Sequence, residues 1–293
     1  MHGLDLRALE IFRAVAREGG VSAAAARLHR VPSNVSTRVK QLEDQVGRPL
    51  FRRHRRGLTL TADGEILLDY AERLLRLSAE AAEALGDDRP RGELRIAAME
   101  STAAARLPGP LAAYQARHPQ VRVVLRIGTA RAVLDALRGG EADVAFVAEP
   151  VAFDGIETRP VFRESLVLVV PAAFPPPDDP RGLAGRTVVA FEDGCAYRRY
   201  LQDWLLDAGI VPGQVMAVSS YLAIFACVAA GTGFAVVPRS VLDMVDAGGG
   251  FQRHPLPGPL ADIRTLMAWR AGDRSAKVAA LRNVLPPAPA PGG

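Results

Sequence analysis

The sequence predicts an α/β protein with an N-terminal winged helix-turn-helix, a long linker helix and an α/β domain of two subdomains. Three observations support this fold class. Residues 19–64 read as a short helix, a tight break and a polar-faced helix, and residues 62–85 carry apolar side chains spaced by three and four. Beyond residue 91 strand and helix patterns alternate. At 293 residues, 49% of them hydrophobic, the chain suits two or three folded units.

The N-terminal pattern is helical. A first helix, marked by apolar residues from Leu6 to Ala16, should brace a short second helix whose buried face is Ala24–Ala26 with Leu28. Residues 29–32 make a tight break, after which Ser33 is expected to open a third helix. That helix has one apolar face, formed by Val35, Val39, Leu42 and Val46. This order is typical of a helix-turn-helix, which docks its last helix in the DNA major groove.

The other face of the third helix is polar and able to reach base edges and phosphates. Its predicted DNA contacts are Ser33, Asn34, Ser36, Thr37, Arg38, Lys40 and Gln41. A basic loop follows, and we expect it to form a wing whose phosphate contacts are Arg53, Arg55 and Arg56. Residues 1–60 hold 12 basic and five acidic side chains, whereas the remainder holds 24 and 27. Double-stranded DNA is therefore the predicted partner.

An amphipathic pattern over residues 62–85 predicts the long helix. Its apolar positions are Leu67, Tyr70, Leu74, Leu77, Ala81 and Ala84. This spacing is typical of a coiled-coil seam, so we expect a homodimer. Its two helix-turn-helix domains would bind two half-sites in the DNA. The alternative is a helix packed on its own domain. Gly86–Gly92 then reads as a hinge.

Beyond the hinge, strands and helices alternate. The predicted strands are Glu93–Ala98, Val121–Ile127, Asp143–Val147, Leu166–Val170, Thr187–Phe191, Val215–Val218, Phe234–Val237 and Thr265–Trp269. The predicted helices are Pro108–Arg117, Ala130–Arg138, Arg198–Ala208, Ser220–Ala230 and Ser240–Asp246. Such alternation predicts mostly parallel sheets with helices on both faces. The predicted strands are numerous enough for two units of this kind. The Pro/Gly-rich tail at 286–293 is expected to be disordered.

Polar residues collect where predicted strands end and helices begin. Ligands of open α/β sheets bind there, because helix N-termini offer free N–H groups. The candidate effector contacts are Glu100, Ser101, Thr102, Thr129, Glu149, Cys195, Tyr197, Arg198, Ser220 and Tyr221. For each hydroxyl, simple helix capping is an equal alternative. Arg198 suits a carboxylate, and the two glutamates suit an amine, so a small zwitterion fits both.

Other classes of function lack support in the sequence. The five histidines are scattered, no cluster has metal-ligand spacing, and Gly231-Thr232-Gly233 precedes its strand, so we expect no enzyme activity, metal or cofactor. No apolar run reaches about 20 residues and no signal peptide is evident, which predicts a cytoplasmic protein without a membrane partner. Two alternatives stay open: a cytosolic α/β small-molecule-binding protein, and a regulator that senses redox state through Cys195.

The N-terminal stretch resembles the DNA-binding domain of the LysR-type transcriptional regulators. The residues that carry the resemblance are Ala24–Leu28, Val35-Ser36, Gln41-Leu42-Glu43, Gly47, Leu50-Phe51, Arg53 and Leu60-Thr61-x-x-Gly64. Pro32 stands where the family usually has glutamine. Later residues resemble the family's effector domain, which is similar to periplasmic binding proteins: Leu107-Pro108, His118-Pro119, Gly139-Gly140-x-x-Asp143 and Ala230–Pro238. The resemblance implies a homodimer, a dimer of dimers as larger assembly, and RNA polymerase as a further partner.

Within that family the sequence is similar to the putrescine-utilisation regulators. The similar residues are Pro32–Val35, Glu100–Ala104, Cys195-x-Tyr197-Arg198-Arg199, Ser220-Tyr221, Ala226-Cys227 and Pro238-Arg239-Ser240, although Leu222 replaces a usual histidine. This implies an effector related to polyamines or amino acids. The expected domains are residues 1–61 for DNA binding, 62–90 for the linker helix and hinge, and 91–285 for the effector. Within the last, subdomain I is about 91–162 plus 265–285, and subdomain II about 163–264.

Overall fold

The computed structural model describes residues 4–54, 57–84, 89–174, 180–245 and 250–287. The chain divides between residues 87 and 88 into two compact units, called the N-terminal unit and the C-terminal unit below. Within the described residues, no helix combines the length and the apolar character that a membrane span requires. The hinge predicted at 86–92 and the tail predicted at 286–293 lie partly outside the described residues, and Gly92 already begins a strand.

The N-terminal unit is a three-helix core with a β-hairpin and one long helix. Its elements are α1 Leu6–Glu18, α2 Val21–Arg27, α3 Pro32–Val46, β1 Phe51–His54, β2 Gly57–Leu60 and α4 Ala62–Ala84. The core is built mainly from α1, whose Leu9, Phe12 and Val15 are fully buried. Two expectations were wrong. Ala26 is exposed, and α3 begins at Pro32 rather than Ser33, because the first helical turn needs no N–H from proline.

Helix α4 has two apolar sides with different surroundings. On one side Ala71 is fully buried, and Leu67, Leu68 and Leu75 pack against the same core of α1 and α3 side chains. The other side exposes a stripe of large apolar residues, Ile66, Tyr70, Leu74 and Leu77, called the α4 stripe below. Leu67 was therefore wrongly assigned to the seam, because it faces its own unit.

The C-terminal unit has two lobes, the first built on a five-stranded sheet of order β4-β3-β5-β12-β6. The strands are β3 Gly92–Ala98, β4 Val121–Ile127, β5 Val144–Ala148, β6 Ile156–Glu164 and β12 Ile263–Arg270. The helices are α5 Glu100–Ala105, α6 Pro108–Arg117, α7 Ala130–Gly139 and α11 Ala276–Val284. Leu94, Ile96, Phe146 and Met267 fill the space between sheet and helices.

The second lobe joins a three-stranded sheet, of order β10-β7-β11, to the pair β8-β9. A parallel bridge between Val188 and Phe234 links the two sheets. The strands are β7 Leu166–Pro171, β8 Val188–Phe191, β9 Val215–Val218, β10 Ala235–Pro238 and β11 Phe251–Pro255. The helices are α8 Ala196–Asp207, α9 Tyr221–Ala229 and α10 Arg239–Leu242, with 3-10 turns at Pro180–Leu183 and Gly258–Ala261.

The eight predicted strands are present within two residues of their expected ends, but the expected pairing was wrong. Strand β3 runs parallel to β4 and β5, and β8 to β9, whereas β12 and β7 each run antiparallel to both of their neighbours. Strands β6 and β11 were not expected, nor were helices α5 and α11. The helix predicted at Ser240–Asp246 is the single turn α10, and Asp246 lies outside the described residues.

A buried carboxylate fixes the crossing from the first lobe to the second. Glu164, at the end of β6, is 4% exposed, and its Oε1 accepts the backbone N–H groups of Ser165 and Ser240 at 3.2 Å each. Its other oxygen accepts the Ser240 hydroxyl and, at 3.3 Å, Arg106 Nη2. The arrangement ties α5, the crossover and α10 together, and so links the two lobes.

Candidate functional site

The polar face of α3 is open to solvent. All seven side chains predicted to contact DNA on this helix are exposed: Ser33, Asn34, Ser36, Thr37, Arg38, Lys40 and Gln41. The opposite face holds Val35, Val39 and Leu42 in the core, with Val35 fully buried. The helix therefore presents short polar groups and two cations outward on a packed support, as a helix entering a major groove requires.

The wing follows directly from α3. Strand β1 pairs antiparallel with β2, from Phe51 opposite Leu60 to His54 opposite Gly57. The backbone of Arg53 lies in β1 opposite Leu58, whereas Arg55 and Arg56 lie outside the described residues. The phosphate contacts expected of these three arginines stay predictions.

The cleft of the C-terminal unit holds a cavity of about 220 Å³ between the two lobes. Its lining residues are Met99, Glu100, Ile127, Gly128, Thr129, Ala130, Phe191, Glu192, Cys195, Tyr197, Ser219 and Tyr221. Five of them were candidates from the sequence: Glu100, Thr129, Cys195, Tyr197 and Tyr221. The others lie in the same strand-to-helix turns, but no pattern marks an apolar residue such as Ile127 as a cavity wall.

The remaining five candidates lie outside the lining. Ser101 and Thr102, which follow the lining residue Glu100 in α5, are each 2% exposed, and Ser220 is next to Ser219, which lines the cavity. The Ser101 hydroxyl makes no hydrogen bond within the described residues. Tyr197 and Tyr221 lie near it, and burial is the largest of the effects that raise the pKa of both phenol hydroxyls.

Glu149 and Arg198 have partners within the protein. Arg264 Nε and Nη2 lie 2.7 and 2.6 Å from Glu149 Oε2, and the backbone N–H of Arg264 binds Oε1 at 3.0 Å. Burial raises the pKa of Glu149, but these contacts outweigh it and the pKa is lowered. Arg198 is 14% exposed and donates to the Phe191 carbonyl at 2.9 Å, while Nη2 lies 3.0 Å from Asp193. Neither residue lines the cavity, and both have a partner of opposite charge, although Arg198 Nε makes no hydrogen bond within the described residues.

The cavity has one partly buried carboxylate. Glu100, at the start of α5 in the first lobe, accepts the backbone N–H of Tyr221 in the second lobe at 3.4 Å. Burial raises the pKa of Glu100, and this N–H lowers it by less. Burial likewise raises the pKa of the Cys195 thiol, although the N–H groups of Tyr197 and Arg198 act in the opposite direction. The cavity therefore holds a thiol, hydroxyls and two carboxyl groups.

The two lobes touch at the mouth of the cavity. The carbonyl of Gly194, which precedes α8, accepts the backbone N–H of Arg131 in α7 at 3.4 Å. Gly194 has φ +93°, and a Cβ added there would lie 3.3 Å from Thr129 Oγ1. Glycine therefore allows the turn to approach α7.

Comparison with known proteins identifies the family. The model described as "Bacterial regulatory helix-turn-helix protein, lysR family" matches residues 6–65, and the model "LysR substrate binding domain" matches residues 87–288. The chain belongs to the LysR family of transcriptional regulators. This LysR-family chain is 38% identical over 258 residues to the HTH-type transcriptional regulator YusT of Bacillus subtilis, covering 88% of this chain and 86% of YusT. It is 34% identical over 268 residues to GltR of the same organism, covering 91% and 90%.

Solved structures of full-length regulators share its fold. An OxyR variant from Pseudomonas aeruginosa gives a TM-score of 0.72 at 24% identity, over 100% of both chains. CbnR, solved with its target DNA, gives 0.69 at 24% identity, over 96% of this chain and 99% of CbnR. This LysR-family chain is thus a DNA-binding transcriptional regulator with an effector-binding domain, and its relatives are named as regulators rather than enzymes.

Proposed function

We propose that this regulator reads DNA sequence with the exposed face of α3 and changes its DNA binding when a small molecule occupies the cleft. The observation that carries the proposal is the outward polar face of α3 on a packed three-helix support. Asn34, Ser36 and Gln41 contact base edges, and Arg38, Lys40 and the wing arginines contact phosphates. CbnR was solved with its target DNA, which supports the same mode of docking here.

A gel-shift titration with the DNA next to its own gene, at two salt concentrations, tests DNA recognition. We expect tight binding to that DNA and weaker binding to a scrambled duplex, with both weakened by salt as phosphate contacts require. Equal affinity for the two duplexes at both salt concentrations would contradict the proposal.

The α4 stripe is proposed as the homodimer seam. Ile66, Tyr70, Leu74 and Leu77 leave a continuous apolar surface exposed in one copy, and α4 is long enough, at 23 residues, to form a coiled coil with a second copy. A dimer of dimers and a contact with RNA polymerase extend this proposal, on the family resemblance alone.

Because its target is DNA, we place the protein in the cytoplasm.

The effector is proposed to be related to polyamines or amino acids. The similarity to the putrescine-utilisation regulators indicates this class of effector. The carboxyl groups of Glu100 and Glu192 in the cavity support an effector that carries an amine. We keep the domain boundaries 1–61, 62–90 and 91–285, with subdomain I at about 91–162 plus 265–285 and subdomain II at about 163–264.

Cys195 is proposed as a cavity-lining residue rather than a redox switch. A redox-sensing thiol needs thiolate character and exposure, whereas burial raises the pKa of the Cys195 thiol. Treatment of the full-length protein with hydrogen peroxide should leave DNA affinity unchanged, and a change abolished by Cys195→Ser would revive the redox alternative.

A further inference from the structure

The charged side chains that line the cavity have one sign. Glu100 and Glu192 line it, and among the described residues none of those lining it is a lysine, arginine or histidine. Arg198, which follows the lining residue Tyr197, is paired with Asp193, whereas Arg131, which follows the lining residue Ala130, is exposed to solvent. A ligand carboxylate would find no basic side chain in this cavity.

Two of the helix N-termini at the cavity, those of α7 and α9, already have a side-chain partner. The Thr129 hydroxyl accepts the Ala132 N–H at the start of α7 at 3.3 Å. At the start of α9, the Tyr221 N–H is taken by Glu100 from the other lobe. Free N–H groups at helix N-termini are what usually attract an anion to such a cleft. At α7 and α9 a side chain takes one of these groups, whereas α5 and α8 have no side-chain cap hydrogen bond.

Glu100 lacks the partner that its burial calls for. Among the described residues, no arginine or lysine forms an ion pair with Glu100, and the single N–H from Tyr221, at 3.4 Å, is a weak contact for a carboxylate. Burying a carboxylate without a counter-ion costs free energy, and the raised pKa of Glu100 reflects that cost. A bound cation would remove this free-energy cost.

The rest of the cavity wall suits the body of an organic cation. Met99, Ile127 and Phe191 are apolar, and the rings of Phe191 and Tyr221 meet edge to face with centroids 4.7 Å apart. Aromatic rings attract ammonium groups through their electron-rich faces and also pack against apolar chains. The wall thus offers apolar contact next to a carboxylate.

We propose that the effector is a small organic amine, bound as the ammonium ion against the carboxylate of Glu100, with its apolar body between Ile127 and Phe191. The proposal rests on the proposed function of the cleft as the effector site. It departs from the zwitterion favoured by the sequence, because Arg198, which was expected to hold the carboxylate, pairs with Asp193 and does not line the cavity. Since Glu100 also contacts Tyr221 across the cleft, an ammonium at Glu100 would act where the two lobes meet.

Matched probes of equal carbon length test the charge preference. Butylamine and 1,4-diaminobutane are compared with butyrate and succinate, by calorimetry and thermal shift on the full-length protein. We expect the amines to bind and the carboxylates not to bind. We also expect amine affinity to rise as the pH is raised through the pKa of Glu100, because the amines stay protonated well above it.

Two variants separate the site from general charge effects. Glu100→Gln, nearly the same shape without the charge, should lower amine affinity by roughly 10- to 150-fold, the usual value of a hydrogen bond to a charged group. Glu93→Gln is the control, because Glu93 is an exposed acid of β3 paired with Arg122, away from the cavity. It should leave amine affinity unchanged.

Three outcomes would overturn the cation proposal. The first is that the carboxylates bind, with an affinity that Glu100→Gln leaves unchanged or increases. The cleft would then be an effector site for an anion. Another is amine binding unaffected by Glu100→Gln, and the third is no binding of either amine. The proposed DNA-binding function is tested separately by the gel shift, which contains no probe, so its failure is distinguishable from these results.

Discussion

The carboxylate of Glu43, in α3, accepts the backbone N–H of Leu50 at 2.8 Å, and also that of Phe51 at 3.2 Å. These two amides begin the wing strand β1, and Leu50 is itself buried in the core. One side chain thus joins the recognition helix to the start of the wing. The two elements that we propose to contact DNA are held as one rigid piece.

Glu43→Ala should destabilise the N-terminal unit. The substitution leaves two partly buried N–H groups without an acceptor, at a cost of about 1–3 kcal/mol. Thermal unfolding of the full-length protein measures the effect, and DNA affinity should fall with it. Asp44→Ala, the exposed neighbouring acid, is the control and should unfold like the wild type. Equal unfolding midpoints for the two variants would refute the role given to Glu43.

Gly64→Ala should also destabilise this unit. A Cβ at Gly64 would lie 2.2 Å from the carbonyl oxygen of Leu50 and 3.0 Å from a Leu60 methyl carbon, so the first turn of α4 would have to move. Overpacking of this kind costs about 1–3 kcal/mol. Gly109→Ala in α6, where a Cβ meets nothing within 4 Å, should be neutral or slightly stabilising. Thermal unfolding that is unchanged for Gly64→Ala would contradict the close approach.

Arg53→Ala should weaken binding to every DNA sequence by a similar factor. Its backbone lies in the wing strand β1, and we assign its side chain to phosphate. Loss of one phosphate contact lowers the slope of log affinity against log salt by about 1. Titrations of several duplexes across a salt series provide the measurement. Arg122→Ala, in the C-terminal unit, should leave the slope unchanged, and the assignment fails if Arg53→Ala does the same.

Leu77→Glu should dissociate the homodimer. Leu77 is 61% exposed in the α4 stripe, so the change brings two carboxylates together in the proposed seam without removing a core side chain. Sedimentation of the variant should show monomers, and sequence-specific DNA binding should be lost. Ala79→Glu places the same charge on the opposite face of α4, where Ala79 is exposed, and should still sediment as a dimer. If both variants sediment alike, the stripe is not the seam.

The sequence predicted elements well where one face is buried and the spacing is regular. Val35, Val39 and Leu42 recur at helical spacing, and all three are buried. Strand β6 escaped prediction because Pro160 and alternating charges interrupt it. Those residues are tolerated since β6 is an edge strand, with a bulge opposite Thr265 and Leu266. Strand β11 is likewise a polar edge strand.

The ends of the predicted strands located the cavity, but they did not predict the charge of the side chains that line it. Glu149 is paired with Arg264, 115 residues away, because β5 and β12 are neighbours in the sheet. Arg198 turns back to Asp193 within its own loop. The first pairing depends on a tertiary contact and the second on the conformation of one loop, and together they change the expected ligand from a zwitterion to an amine.

Selection from a random pool of duplexes tests the central claim, that the exposed face of α3 reads sequence. The full-length protein should enrich a motif of two related half-sites about one helical turn apart, or a multiple of it. Asn34→Ala should enrich a motif altered at a position within each half-site. No enrichment by the wild type, or an identical motif from Asn34→Ala, would contradict the reading role assigned to α3.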